Sequence, residues 1–331
     1  MGNKLGWIIA GAMLSAFVVL IVTLVLWPEG PTPPTNATTR PGRLDKKTID
    51  VPISKIVDQV PSQSGNAGDD YAEAATLYEE RKEELLDALS EANGNIANLP
   101  GEGVNIIESI HENVSRGTRK KDMRFTTVHS DKTFLMTHQL LGALRLQRVG
   151  TALNKLGQYY IATDKMNKAR EVYEDYFLLG WHMIHERSRY HMVTSGVGNQ
   201  REAIRGLVTV AKDAGDQAKL DTLQKYVDQM DALSDFYRMK LKFIWKAEPR
   251  KYAGDVFNIA RNDEDRAWRA EAILFLGVLK YTQGHEPDLE LIAELLDKYT
   301  KSDDPYIRTA ARSAADFPIT EFRRLDAIEV E

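Results

Sequence analysis

From Leu5 to Trp27 the chain reads LGWIIAGAMLSAFVVLIVTLVLW, an unbroken run with no charged side chain. At ~1.5 Å per residue, a helix of that length crosses a ~30 Å hydrocarbon core, so the run predicts a transmembrane helix over residues 7–27. Trp7 and Trp27 stand at its ends, where indole rings prefer the boundary between headgroups and acyl chains, and Pro28 stops the helix. A cleaved signal peptide would have an apolar core of about 7 to 15 residues followed closely by small residues. Lys4 and the α-amino group lie on the short side, whereas the far side carries only Glu29 before Arg40. That asymmetry places residues 1–6 in the cytoplasm and everything after Trp27 outside it, which in a bacterium is the periplasm. Gly11 with Ser15, and Ala12 with Ala16, form small-xxx-small pairs that would let two such helices pack closely.

Charge and cysteine content then remove whole classes of function. Lys plus Arg total 43 against 48 Asp plus Glu, a net charge of -5, so the general attraction to nucleic acid that a basic domain has is missing. With Cys 0 there is no disulfide, thiolate zinc site, iron-sulfur cluster or cysteine nucleophile. The abundance of Ala, Leu, Glu, Lys and Arg points to an all-α protein.

Residues 28–42, PEGPTPPTNATTRPG, favour an extended polyproline-like form and read as a semi-rigid stalk, part of a linker over 28–68. Within it Ile49, Val51, Ile53, Ile56, Val57 and Val60 predict a short segment that docks on the folded part. Helices are expected from Asp69 or Asp70, where Tyr71, Ala74, Ala75, Tyr78, Leu85, Leu86 and Leu89 recur at intervals of three and four. NGN and LPGEG punctuate the chain after this helix, SRGTRKKDMRFTTVHSD is less regular, and a long helical run resumes near Thr133.

Between Ala152 and Phe177 the pattern is two amphipathic helices with a polar turn at Thr163–Lys165. Leu156, Gly157 and Tyr160, then Ala169 and Tyr173, fall in the order and spacing of a tetratricopeptide repeat, which this segment resembles. Gly157 and Ala169 are small where the two helices would touch, and Asp164 stands where the family's turn often has glycine. The resemblance implies a helical region over 69–248.

A second periodicity follows. Shifting the chain by 39 residues aligns Asp265 with Asp304, Trp268 with Ile307, Arg269 with Arg308, Ala272 with Ala311, and Val256–Phe257 with Leu295–Leu296. This order is similar to HEAT repeats and implies two helical pairs within 249–318, with each aspartate capping the second helix, ahead of a tail over 319–331. Phe236, Tyr237, Phe243, Ile244 and Trp245 lie at the joint, on both faces of one helix, and predict that the middle and C-terminal regions form one continuous superhelix.

Positions that could carry chemistry are few. His182, His185 and Glu186 share a helical face, with His191 close by, and three such groups could hold zinc, though the spacing is not HExxH. SGVGNQ at Ser195–Gln200 has no preceding strand and no GKS or GKT, so it reads as a loop or a close helix contact. Arg116, Arg119, Lys120, Lys121 and Arg124 form the strongest local charge run; it suits anionic lipid or an acidic partner, or else neutralises the acidic helix over 69–91. No nucleophile and base pair stands out, and no cofactor is expected. The expected function is a membrane-anchored α-solenoid scaffold or accessory subunit that binds other proteins of an envelope complex. The alternative is a metal-binding or enzymatic domain built on the histidine cluster.

Overall fold

The computed structural model describes residues 49–124, 135–186, 190–246, 249–280 and 286–316, with side chains outside the description for 135–143, 190–191, 236–246, 249–253, 255 and 286–288. The proposed membrane span, with Gly11, Ala12, Ser15 and Ala16, lies outside these residues. Among the described residues no helix is long and apolar enough to cross a membrane.

The described chain from residue 49 onward belongs to one compact unit. It is mostly helical. In order come β1 (Gln63–Asn66), α1 (Ala67–Glu80), α2 (Lys82–Glu91), α3 (Gly101–Thr118) and β2 (Lys120–Asp122). The chain continues through α4 (Leu135–Ala162), α5 (Met166–Glu186), α6 (Tyr190–Asp213) and α7 (Gln217–Lys246) to α8 (Pro249–Asn262), α9 (Arg266–Leu279), α10 (Glu286–Thr300) and α11 (Pro305–Ala315). Among the described residues the departure from all-α is a small parallel pair, β1 on β2, joining Gln63 to Lys120 and Asn66 to Asp122.

The acidic helix expected from Asp69 starts two residues earlier, because the Asn66 side chain accepts from the Gly68 amide and so caps it. It also breaks at Arg81, whose φ of -105° and ψ of 12° leave the helical region, making α1 and α2 separate helices. The break changes the phase of the apolar stripe, so Leu85 is buried while Leu86 is exposed. Helix α3 starts where Pro100, Gly101 and Gly103 read as punctuation, with Pro100 at its N-cap. Val104, Ile106, Ile107, Ile110 and Val114 face the core.

The α4–α5 hairpin turns at Thr163–Lys165, with Asp164 at φ 58°, a left-handed conformation that aspartate tolerates better than most residues. Its helices are much longer than the dozen residues expected. A methyl added to Gly157 would lie 2.5 Å from the Tyr173 ring, and one added to Gly206 on α6 would lie 2.3 Å from the same ring. Tyr173 is thus gripped between two glycines of different helices, which sets the spacing of α4, α5 and α6.

In the C-terminal quarter α8 packs on α9, α10 on α11, and α9 on α11. Asp265 accepts from the Ala267 amide at 3.1 Å, and Asp304 accepts from Tyr306 and Ile307 at 2.9 and 3.3 Å. The Tyr299 hydroxyl of α10 donates to the Ala260 carbonyl of α8 at 2.8 Å, linking positions 39 residues apart. Helix α9 is buried on every face from Ala270 to Leu279, as a helix sandwiched on all sides must be. The aromatic run Phe236–Trp245 lies on α7, with its side chains outside the description.

Candidate functional site

Helix α5 packs against α3, α4 and α6 at the centre of the described fold. A helix so enclosed should be apolar all round, yet Glu174, Asp175, His182 and Glu186 interrupt its sequence VYEDYFLLGWHMIHE. Burying each of these groups is unfavourable unless a partner reaches it. The partners come from four different parts of the chain.

The Asp58 amide donates to Glu174 Oε2 at 2.9 Å. Asp175 pairs through Oδ2 with His111 Nε2 at 2.9 Å and accepts from the Thr118 hydroxyl through Oδ1 at 2.5 Å. His182 stands 2.8 Å by Nε2 from the Lys120 carbonyl and 2.6 Å by Nδ1 from the Tyr71 hydroxyl. The carbonyl can only accept, so Nε2 carries the proton and Nδ1 accepts from Tyr71. Glu186 Oε1 accepts from the Tyr306 hydroxyl at 2.5 Å, and its backbone carbonyl accepts from the Arg266 guanidinium, which lies 4.5 Å over the Tyr306 ring.

Burial sets the proton affinities along this ladder. His182 is held down at about 4 by burial, against the opposing pull of its bond to Lys120. The Tyr71 hydroxyl is raised well above its ordinary value by burial and then by the charges of Asp175 and Asp70. Glu174 is pushed up to about 7 by burial, the Asp58 amide working the other way. Tyr306 is raised by burial and by Glu186.

The histidine cluster is therefore split. His182 is 1% exposed and Glu186 is 3% exposed, whereas His185 turns outward, donates from Nδ1 to the Trp181 carbonyl at 2.8 Å and stacks on the Trp181 ring at 4.1 Å. One residue of helical phase separates the buried edge from the exposed one. Both nitrogens of His182 are committed, which leaves no lone pair for a metal ion. His191 is the second residue of α6, with its side chain outside the description. Among the described residues no group of three metal-ligating side chains converges. The SGVGNQ stretch lies inside α6, where Gly196 meets Gly180 of α5 so closely that a methyl on Gly180 would come within 2.6 Å of the Gly196 carbonyl.

The basic run is divided as well. Arg116 pairs with Glu73 at 2.8 Å and reaches Asp70 at 3.6 Å. Lys120 approaches Asp70 Oδ2 at 2.5 Å, off the hydrogen-bond directions, so that oxygen is held by charge rather than by a directed bond. Arg119, Lys121 and Arg124 are exposed, and the Arg124 backbone is tied by its N–H and C=O to the Asn66 side chain at 2.6 and 2.9 Å.

Sequence reasoning missed Glu174, Asp175, Tyr71, His111 and Tyr306. A signal was present, because Glu174, His182 and Glu186 fall at multiples of four on a helix that is largely apolar from Val172 onward, the spacing of a polar stripe turned inward. Comparison with family models, with curated proteins and with solved structures finds no match to this chain.

Proposed function

We propose that this chain is a membrane-anchored α-solenoid scaffold or accessory subunit, with tetratricopeptide-like hairpins followed by two HEAT-like pairs, that holds other proteins of an envelope complex. The observation that carries the reading is the 39-residue register of the C-terminal quarter. Asp265 and Asp304 cap equivalent helices, α9 stacks on α11, and Tyr299 bonds to the position one repeat before it. Arrays built this way present extended surfaces to partners. The buried ladder of α5 supports the same reading, since Asp175, His182 and Glu186 are occupied in joining helices rather than turned toward a substrate.

Residues 7–27 anchor the scaffold, the N-terminus is cytoplasmic, and residues from 28 onward lie on the extracytoplasmic side. Protease added to spheroplasts digests the helical region in this topology; full protection reverses it. The exposed Arg119, Lys121 and Arg124 are the contact candidates for an acidic partner or anionic headgroups. The binding function is tested by placing a photo-crosslinking residue singly at exposed Asn258, Glu290, Glu294 and Lys121 of the full-length protein in native membranes. Adducts of one discrete mass from a subset of positions are expected, and no adduct from any of them overturns the scaffold reading.

A further inference from the structure

Residues 49–62 run as a strap along the fold just after the proposed stalk. Val51, Ile56 and Val57 are buried at 7%, 0% and 2% exposure. The Asp50 and Val51 amides both donate to Gln229 Oε1 of α7, at 2.9 and 3.4 Å. The third anchor is Glu174 on α5, whose Oε2 takes the Asp58 amide at 2.9 Å while its Oε1 is buried with no hydrogen-bond partner among the described residues.

That second oxygen makes the anchor conditional. An ionised carboxylate needs donors on both oxygens or water around it, and docking of the strap takes away the water without supplying the second donor. The charged groups facing Glu174 are Asp58 from the strap, Lys219 from α7 and Arg170 from its own helix. Arg170 is already shared with the Asp58 carboxylate at 3.4 Å and is about half exposed. The neutral acid keeps an acceptor for the Asp58 amide without a net charge out of water.

We propose that residues 49–62 are a latch between the stalk and the helical fold, docked while Glu174 is neutral and released when it ionises. The device stands whether or not the array binds partners. Burial brings Glu174 to about 7 when the strap is docked, against 4.5 for an exposed glutamate, so the docked state binds the proton more tightly. Raising the pH therefore weakens docking through the interval from 4.5 to 7, and the effect levels off above it. Between pH 5 and pH 7.5 the docking equilibrium falls by up to roughly 60-fold, the limit reached if undocking exposes Glu174 fully. Release frees about 14 residues, which adds up to roughly 45 Å of reach to the connection.

The test is hydrogen exchange of the strap peptide in the full-length, detergent-solubilised protein at pH 5 and pH 7.5, corrected for intrinsic exchange. Strap protection is expected to fall at the higher pH in the wild type, by up to roughly 60-fold. Glu174→Gln, which keeps the acceptor oxygen and cannot ionise, should hold protection constant across the two conditions. Asp58→Asn removes the like charge and should shrink the fall, and this variant serves if Glu174→Gln fails to fold. Equal wild-type protection at both pH values overturns the latch, as does a full fall in Glu174→Gln or an undiminished one in Asp58→Asn.

Discussion

The Lys120 carbonyl decides which nitrogen of His182 keeps its proton, and the whole ring is then bound to stay neutral. With its folded value near 4 and an ordinary value of 6.5, its stabilising contribution is complete above pH 6.5 and is lost as pH falls toward 4. Glu174 runs the other way, since its raised value penalises the fold above pH 7 and relieves it below. The wild-type curve therefore blends two opposed effects, and a variant comparison separates them. In urea unfolding, the stability gap between wild type and His182→Gln should narrow by about 2 to 3 kcal/mol from pH 7.5 to pH 4.5, and a constant gap would refute the buried neutral ring. Tyr173 offers a second test at this scale. Alanine at Gly206 gains about 1 kcal/mol of helix propensity, but the ring it meets is already backed by Gly157 and cannot retreat. Overpacking of this kind costs about 1 to 3 kcal/mol, so Gly206→Ala should be destabilising. Combined with Tyr173→Leu, it should cost less than the sum of the two single changes in a double-mutant cycle.

Caps settle where the C-terminal helices begin. Asp304→Ala removes the acceptor for two amides of α11 and should cost about 1 to 2 kcal/mol in thermal unfolding, with Asp265→Ala at about 1 kcal/mol. A loss below about 0.3 kcal/mol for both would mean that packing alone sets these helix starts. Those two caps were legible in the sequence, because an aspartate ahead of an apolar run with matching spacing is a local signal. The α4–α5 contact through Gly157 and Tyr173 was legible for the same reason, although the helix lengths were not, since apolar content continues past the motif on both sides. Helix α3 was hidden behind Pro100, Gly101 and Gly103, and the apolar residues from Val104 to Val114 were the evidence to weigh against them. The β1–β2 pair left no trace, as QSGN and KKD are short, polar and largely exposed and show no alternation. The polar ladder was only half visible, because which side of α5 is buried depends on α3, α4 and α6 arriving from far along the chain.

Glu186 ties the C-terminal helices to the centre of the fold through Tyr306 and Arg266, so the middle and C-terminal regions meet in one compact unit. Tyr306→Phe removes a donor to a buried carboxylate and should cost about 1.5 to 3 kcal/mol. Its effect should be local, with hydrogen exchange quickening in α9 and α11 more than in α4 to α6, and unchanged protection in α9 and α11 would sink the claim that this contact fastens them. The strap has a different consequence, for it leaves the ribosome well before the two side chains that anchor it, Glu174 and Gln229. Asp58 finds its partner 116 residues downstream and Asp50 finds its own 179 residues downstream. At ~5 to 20 residues per second of synthesis, Asp50 waits roughly 10 to 35 s for Gln229 to be made. Until Gln229 exists the Asp50 and Val51 amides have no acceptor there, and the newborn chain presents this end of the strap to any chaperone or translocation machinery that meets it first.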